Sequence, residues 1–220
     1  MLHYLQNLFQ ALDFSSLADA VLRVAAVFLC LTVHETCHGL AALALGDPTA
    51  KSMHRLSLNP LRHIDWLGLA LMFVAGFGWA KPVPVNPSYF SKPKQGMAIT
   101  ALAGPISNIL LAVLFLWIGK VIYLYAPYSD GMNTFFDWCL FTVAPMSVGM
   151  GIFNLIPFPP LDGSKVLAVF LPDVAYMKLM HYERYGILIL LALSWLGLGG
   201  NALGNAIYGV YEALFHIFFA

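Results

Sequence analysis

Charged residues are scarce in this sequence, where they make up 10% of 220 residues while 60% are hydrophobic. A soluble globular domain carries about 25% charged and 45–50% apolar residues, so this chain could not cover its own surface in water. The 14% aromatic content excludes a disordered chain, and the lack of charged pairs excludes a coiled coil. The formal net charge of zero argues against a nucleic-acid partner, which requires a basic face. The composition predicts a polytopic membrane protein.

Cysteine and N-terminal positive charge are also in short supply. The chain has three cysteines, an odd number, and all lie in apolar stretches, so a disulfide framework is not indicated. No Lys or Arg precedes Arg23, and no small-residue cleavage site follows, so we expect no removable signal peptide. Membrane insertion is expected to depend on the spans themselves.

Several apolar stretches approach the roughly 20 residues that a spanning helix needs. They are 20–45, 97–123, 134–156 and 185–219, the last long enough for two short spans with a break at Gly197, Gly199 and Gly200. The stretch 66–80 is apolar but only 15 residues long with three glycines, which favours a re-entrant segment. The predicted fold is an all-α bundle of about five or six transmembrane helices, with a re-entrant or β-hairpin-like segment near the site described below.

The distribution of Lys and Arg predicts an orientation. Six lie in 47–96 and three in 162–184, but only one lies in 120–133. By the positive-inside tendency both basic stretches face the cytoplasm, which requires that 66–80 does not cross. We therefore expect a multi-pass protein of a cell (inner) membrane, with its N-terminus outside or along the outer surface.

Three ionisable residues lie in the middle of the first apolar span. His34 and His38 are four residues apart, so on a helix they lie on one face and can bind one metal ion. Glu35 is one residue along and can reach a water bound to that ion. A charged residue at the bilayer centre costs about 2.5–3.5 kcal/mol, which favours a function for this cluster over chance.

A catalytic zinc site usually takes three protein ligands and leaves a position for water. The other histidines lie in loops or near helix ends, and are weaker candidates for the third ligand. Asp162 follows a span end that three prolines interrupt, and prolines break the helix and can leave a carboxylate facing inward. Alternatively, Asp162 caps the next helix, and its position in the sequence suits both roles.

Three elements, in order, resemble the site-2 protease family of intramembrane zinc metalloproteases. They are the His34–His38 motif, Gly104-Pro105-Ile-Ser-Asn108, and Asn154…Asp162-Gly163. Two further stretches, Ser57-Leu-Asn59-Pro60 and residues 78–86, are typical of a compact subgroup without a PDZ domain. The resemblance covers about 20–165. It implies one zinc ion bound by His34, His38 and Asp162, with Glu35 as catalytic base, and places Asn108 and Asn154 near the active site.

The implied activity is that of a zinc-dependent intramembrane endopeptidase, which hydrolyses peptide bonds in or near the transmembrane segment of a membrane protein (regulated intramembrane proteolysis). The chain would be one protease domain, 1–220, with a catalytic core at 20–165 and C-terminal helices at 166–220. Its partners would be the substrate and the lipid bilayer, and no particular oligomeric state is indicated. The alternatives are a metal transporter and an inactive protease-like scaffold.

The asparagines have two possible roles. The amide of Asn108 or Asn154 could stabilise the oxyanion of a tetrahedral intermediate. Alternatively, either residue makes the interhelical hydrogen bonds that are common for Asn in membrane bundles. His38 lies about seven residues from the inner end of its span, roughly 10 Å at 1.5 Å per residue, so the site is expected in the cytoplasmic half.

A proline-rich stretch, Lys81–Asn86, could present the substrate to this site. In an extended strand, Pro82 and Pro84 lack donors on one edge, whereas Val83 and Val85 carry theirs on the other. That second edge could pair with an unwound substrate strand. The alternative is a rigid proline-rich connector.

Overall fold

The computed structural model describes residues 17–68, 80–196 and 200–219, and these residues are mainly helical. The helices are α1 (Leu17–Ala44), α2 (Thr49–Ser52), α3 (Pro93–Tyr125), α4 (Asp130–Asp137), α5 (Ala144–Asn154), α6 (Asp162–Ala168), α7 (Asp173–Trp195) and α8 (Gly200–Phe219). Short 3-10 turns lie at Pro60–Arg62 and Pro87–Tyr89, and a π-helical turn at Trp138–Val143 joins α4 to α5. Over these ranges the predicted helical class is confirmed, with one isolated β-bridge, Ile64 to Ala80, and no strand.

Three described helices are long and apolar enough to cross a membrane. They are Ala18–Ala44, Pro93–Tyr125 and the continuous helix Asp130–Asn154 formed by α4, the π turn and α5. Each lies within four residues of a span predicted from the sequence. Large apolar side chains on their outer faces are exposed, among them Val21, Ile99, Leu110, Leu114, Trp117 and Phe141. Such faces indicate a membrane protein.

The C-terminal region forms two helices that together extend beyond the predicted apolar stretch. Helix α7 begins at Asp173, upstream of the predicted 185, and includes Lys178, Glu183 and Arg184. Helix α8 is continuous but contains polar residues such as Asn201 and Glu212. The described part of the chain has three candidate spans, and the count of five or six stays a prediction. Helix α7 ends at Trp195 and α8 begins at Gly200, on either side of the predicted glycine break, of which 197–199 lie outside the described ranges.

Helix α3 occupies the centre of the bundle and contacts α1, α5 and α6. Small residues lie where the helices cross: Ala26 and Cys30 pack in one core cluster, and Ala112 and Ala144 in another. At Gly119, an added Cβ would overlap the side chain of Leu140. Such small residues allow helix backbones to approach closely. The close packing brings α1, which carries the histidine pair, against α3.

The π turn at Trp138–Val143 hydrogen-bonds the third candidate span to two neighbouring helices. A π turn leaves backbone groups without regular α-helical partners, and such groups need others. The hydroxyl of Tyr211, on α8, donates to the Leu140 carbonyl of the π turn at 2.9 Å. The indole nitrogen of Trp138 donates to the Leu22 carbonyl of α1 at 2.7 Å. These two bonds fix α8 and α1 against the same turn.

A buried carboxylate ties the end of α1 to the proline-rich stretch. Asp47 accepts hydrogen bonds from the Thr49 backbone N–H at 2.9 Å, the Thr49 hydroxyl and the Asn86 N–H at 2.7 Å. Burial opposes ionisation of Asp47, but the hydrogen bonds outweigh it and hold its pKa below the usual range. Asp47 therefore fixes one end of the segment 81–86, hereafter the proline strap.

Most of the predicted re-entrant segment, 66–80, falls on residues 69–79, outside the described ranges. The residues that flank it pair with each other. Ile64 and Ala80 form the antiparallel bridge, and the Lys81 N–H donates to the His63 carbonyl at 2.9 Å. The described residues on the two sides of 69–79 therefore lie next to each other.

Candidate metal centre

Three potential metal ligands converge between α1 and α6. The Nε2 atoms of His34 and His38 lie 3.0 Å apart, and each lies 3.1 Å from Oδ2 of Asp162. All three residues are buried. The structure thus brings together the ligand set that the resemblance implies. Asp162 is the first residue of α6 but does not cap it, because Leu161 occupies the N-cap position and no side chain makes a capping hydrogen bond, so the capping alternative is wrong.

The chemistry of these donors fits zinc. Two imidazole nitrogens and one carboxylate oxygen form a ligand set found in catalytic zinc sites. Ligand atoms about 2.0–2.1 Å from a tetrahedral zinc ion are about 3.3 Å apart, close to the separations seen here. Among the described residues, His34, His38 and Asp162 are the set of three side chains whose ligand atoms lie close enough together to hold one metal ion.

Two glycines make this convergence possible. At Gly104 of α3, an added Cβ would lie 2.6 Å from Cε1 of His34 and closer still to the ring of His38. At Gly163, next to Asp162, it would meet the Leu155 carbonyl and lie 2.6 Å from the Ile156 oxygen. The first glycine lets α3 pass over the two rings. The second lets the loop after α5 fold back onto the start of α6.

The outer ring nitrogens of the two histidines have different partners. The Nδ1–H of His38 donates to the Thr100 carbonyl at 2.7 Å, which leaves its Nε2 with a lone pair for a metal. The Nδ1 of His34 lies 3.3 Å from the amide nitrogen of Asn108, which is fully buried. Asn108 is not among the residues that line the cavity at the site, and its role in stabilising an oxyanion stays a prediction.

Asp162 is held in its ionised form. Burial opposes its ionisation, but hydrogen bonds and charge from His34 and His38 outweigh burial and hold its pKa well below the usual range. Lys165 places its Nζ 3.8 Å from Oδ1, the carboxylate oxygen that faces away from the histidines. An ionised carboxylate is the form that binds a metal.

Glu35 points from the same turn of α1 toward the proline strap. Its Oε2 accepts a hydrogen bond from the Val83 N–H at 2.8 Å. In this structure the N–H therefore donates to Glu35, and its pairing with a substrate strand stays a prediction. The Arg55 guanidinium donates to the Lys81 carbonyl at 2.7 Å, and with Asp47 it braces both ends of the strap.

A cavity of about 680 Å³ opens onto the metal centre, within the size range of ligand sites. Its walls are mostly apolar, and Glu35 and the three potential ligands lie among them. Val83, Val85 and Asn154 also line it, as expected for residues near a substrate. The Asn154 side chain donates to the Met150 carbonyl at 3.0 Å, a bond within its own helix.

The sequence did not point to three features of the centre. The Thr100 carbonyl that binds His38 carries no sequence signal, because every residue has a carbonyl group. The Glu35–Val83 contact joins elements 48 residues apart. Lys165 could have been found from its spacing, since it lies three residues after Asp162 on one helix.

Two histidines and an aspartate that converge in an apolar helical bundle, with a glutamate beside them, form a candidate metal centre with the donor set found in metal-dependent hydrolases. No protein-family model and no solved structure matches the chain. Several relatives carry the name "putative zinc metalloprotease", YwhC, Rip2 and MJ0611 among them. YwhC of Bacillus subtilis is 34% identical over 204 residues, which is 87% of this chain and 91% of that protein. The chain belongs to this family of zinc metalloproteases.

The other two relatives are more distant. Rip2 of Mycolicibacterium smegmatis is 28% identical over 178 residues, 79% of this chain and 66% of that protein. MJ0611 of Methanocaldococcus jannaschii is 29% identical over 132 residues, 53% of this chain and 61% of that protein. The chain thus matches nearly all of YwhC but less than two thirds of these two relatives.

Proposed function

We propose that this protein is an intramembrane zinc endopeptidase of the site-2 protease type, in the compact subgroup without a PDZ domain. It would hydrolyse peptide bonds in or near the transmembrane segment of a membrane protein. One observation carries the proposal: His34, His38 and Asp162 form a buried group that could hold a metal, and both histidines and Glu35 lie within a candidate membrane span. The whole chain would act as one membrane protease domain, with its catalytic core at 20–165.

The depth of the centre supports cleavage within the membrane. His38 lies six residues before α1 ends at Ala44, about 9 Å along the helix. Asp162 follows the end of α5 at Asn154, so both ligands lie near the same ends of their spans. The basic stretch 47–96 starts at this end, and the pairing of Ile64 with Ala80 favours a segment that returns without crossing. We therefore infer that the site faces the cytoplasmic side of a cell membrane.

The residues would divide the chemistry of peptide hydrolysis between them. A bound zinc ion would supply a Lewis acid that polarises the scissile carbonyl and acidifies water. Glu35 would accept the proton of the attacking water and deliver it to the leaving amine. The Val83 N–H would orient the Glu35 carboxylate through their hydrogen bond. Asn154 lines the cavity and could donate to the oxyanion if its bond to Met150 exchanges.

The substrate would enter as an unwound segment. A transmembrane helix hides its amides in internal hydrogen bonds, so the scissile bond is accessible only after local unwinding. The apolar walls of the cavity suit the side chains of such a segment. The proline strap forms part of this wall through Val83 and Val85. We propose that Val85 contacts the substrate.

Proline substitutions in the strap separate its two possible roles. Val83→Pro removes the N–H that binds Glu35, a hydrogen bond to a charged group worth about 1.5–3 kcal/mol. We expect cleavage to fall by about ten- to hundred-fold with zinc content unchanged. Val85→Pro is the matched comparison, because it places the same residue two positions along the same strap.

If only the Glu35 contact matters, Val85→Pro will cleave at the wild-type rate. If the strap also pairs with substrate, Val85→Pro will lose cleavage too. Wild-type cleavage by Val83→Pro would exclude both roles for the Val83 donor.

Zinc removal tests the proposed function against its rivals. We would reconstitute the protein with single-span test proteins, strip zinc with a chelator, and follow both cleavage and metal flux across the vesicle. The proposal expects cleavage that disappears on stripping and returns with about one equivalent of Zn²⁺. Metal flux without cleavage would support a transporter, and zinc binding with neither would support an inactive scaffold. A transporter needs ligands along a pathway, whereas the described residues show one compact group.

A further inference from the structure

The fully buried side chain of Asn108 lies behind His34, on the side of the ring away from the other two ligands. Its amide nitrogen is 3.3 Å from Nδ1 of His34, and its amide oxygen has no hydrogen-bond partner. A buried polar atom without a partner costs free energy, so such an atom in the middle of a bundle calls for a function. Because Asn108 lies beside His34, a potential metal ligand, its function is expected to concern that ligand.

The tautomer of His34 explains this arrangement. The His34 Nε2 faces His38 and Asp162, so it is the nitrogen that would bind a metal. A neutral imidazole that binds through Nε2 carries its proton on Nδ1, and that N–H needs an acceptor. A half-turn of the Asn108 amide exchanges its nitrogen and oxygen, and brings the unpartnered oxygen to Nδ1.

Only His34 needs a side chain to fix its tautomer, as a comparison with His38 shows. Its Nδ1–H already donates to the Thr100 carbonyl, which can only accept, so its tautomer is decided by the backbone. Nδ1 of His34 faces the side-chain amide of Asn108 instead, and this amide can either donate or accept a hydrogen bond. We propose that Asn108 is a positioning residue that accepts the Nδ1–H of His34 through its amide oxygen and so holds the His34 ring in the tautomer that binds zinc.

The backbone of α3 places Asn108 for this task. Asn108 lies four residues after Gly104, so both occupy the face of α3 that meets α1. Gly104 leaves room for the rings, and Asn108 meets His34 one turn further along. From α5, the Ser147 hydroxyl donates to the backbone carbonyl of Asn108 at 2.7 Å and makes no contact with the amide that faces His34. The sequence element Gly104…Asn108 thus supplies both the space and the orienting partner.

This inference rests on the zinc site of the proposed function but not on its substrate, so the test measures zinc affinity without cleavage. Full-length variants in detergent would compete with a chromophoric chelator for Zn²⁺. Asn108→Leu has a similar volume but no acceptor, and we expect zinc to bind about 10- to 100-fold more weakly. Asn108→Asp offers an acceptor at both ends, and should bind zinc as tightly as the wild type or more tightly.

Ser147→Ala is the matched control, because it removes a buried hydrogen bond to Asn108 without touching His34. It should lower the unfolding temperature and leave zinc affinity unchanged. A purely structural role of Asn108 predicts the opposite pattern, in which the buried charge of Asn108→Asp is at least as damaging as Asn108→Leu. Wild-type zinc affinity in Asn108→Leu, or equal losses in Leu and Asp variants, would overturn the inference.

A measurement on the wild type covers the case in which Asn108→Leu does not fold. Nitrogen-15 NMR of histidine-labelled, zinc-loaded protein distinguishes a protonated Nδ1 from a metal-bound one. We expect the proton of His34 on Nδ1, with the shift of a hydrogen-bonded N–H. Zinc bound through Nδ1 of His34 would contradict the inference without any variant.

Discussion

Replacing Glu35 by Gln is expected to reduce cleavage by about 10²- to 10⁴-fold, the range by which a positioned acid or base accelerates a reaction. The glutamine oxygen can still accept the Val83 N–H, so the geometry around the strap should be kept. The amide cannot take up a proton at neutral pH, so only the proton transfer is removed. Because Glu35 is not one of the three converging ligands, zinc content should stay at the wild-type level. Cleavage of a test substrate and metal analysis on the same sample check both parts.

Glu212→Gln is the matched control, since it makes the same chemical change at an exposed position of α8. It should cleave like the wild type. Loss of zinc from Glu35→Gln would show that Glu35 takes part in holding the metal, and an undiminished cleavage rate would exclude it as the base. An undiminished rate would require another proton acceptor in the cavity, and Asp65, which also lines it, would be the next residue to test.

The long helices were predictable because their apolar length alone sets their bounds. The spans at 20–45, 97–123 and 134–156 correspond to α1, α3 and the α4–α5 helix. The start of α7 could not be predicted in this way, because its first twelve residues alternate between polar and apolar side chains. A search for long apolar stretches passes over such a segment. Helix formation depends on the backbone and on packing as well, so a polar stretch can continue an apolar helix.

The site was predictable in the parts that follow from spacing along one helix. His34 and His38 lie four residues apart, so helical geometry brings them together without knowledge of the fold. Asp162 required the resemblance, because its own sequence context also suits a helix start. The partner of Glu35 could not be predicted, since the strap reaches α1 through the tertiary structure. The sequence singled out Val83 in the strap, but it gave no sign of the hydrogen bond to Glu35, and the predicted pairing with substrate stays a prediction.

Gly104→Ala is expected to weaken zinc binding by at least about 100-fold, more than the loss of an orienting partner. The new methyl group would lie 2.6 Å from Cε1 of His34 and closer to Nε2 of His38. The rings could yield only by rotating away from the point where the ligands converge. Helix α3 could not retreat either, because its far side packs on α5, where a Cβ at Gly151 would lie 3.0 Å from the Pro105 carbonyl.

Gly131→Ala distinguishes this clash from a general effect of replacing a helical glycine. Gly131 lies in α4, and an added Cβ there meets no atom within 4 Å. In an open helical position alanine is favoured over glycine by roughly 0.5–1 kcal/mol, so this variant should unfold at the same or a higher temperature and bind zinc normally. Zinc titration and thermal unfolding of both variants, with and without zinc, separate metal loss from misfolding. Wild-type zinc affinity in Gly104→Ala would mean that the rings have room elsewhere, and that close approach of α3 is not what shapes the site.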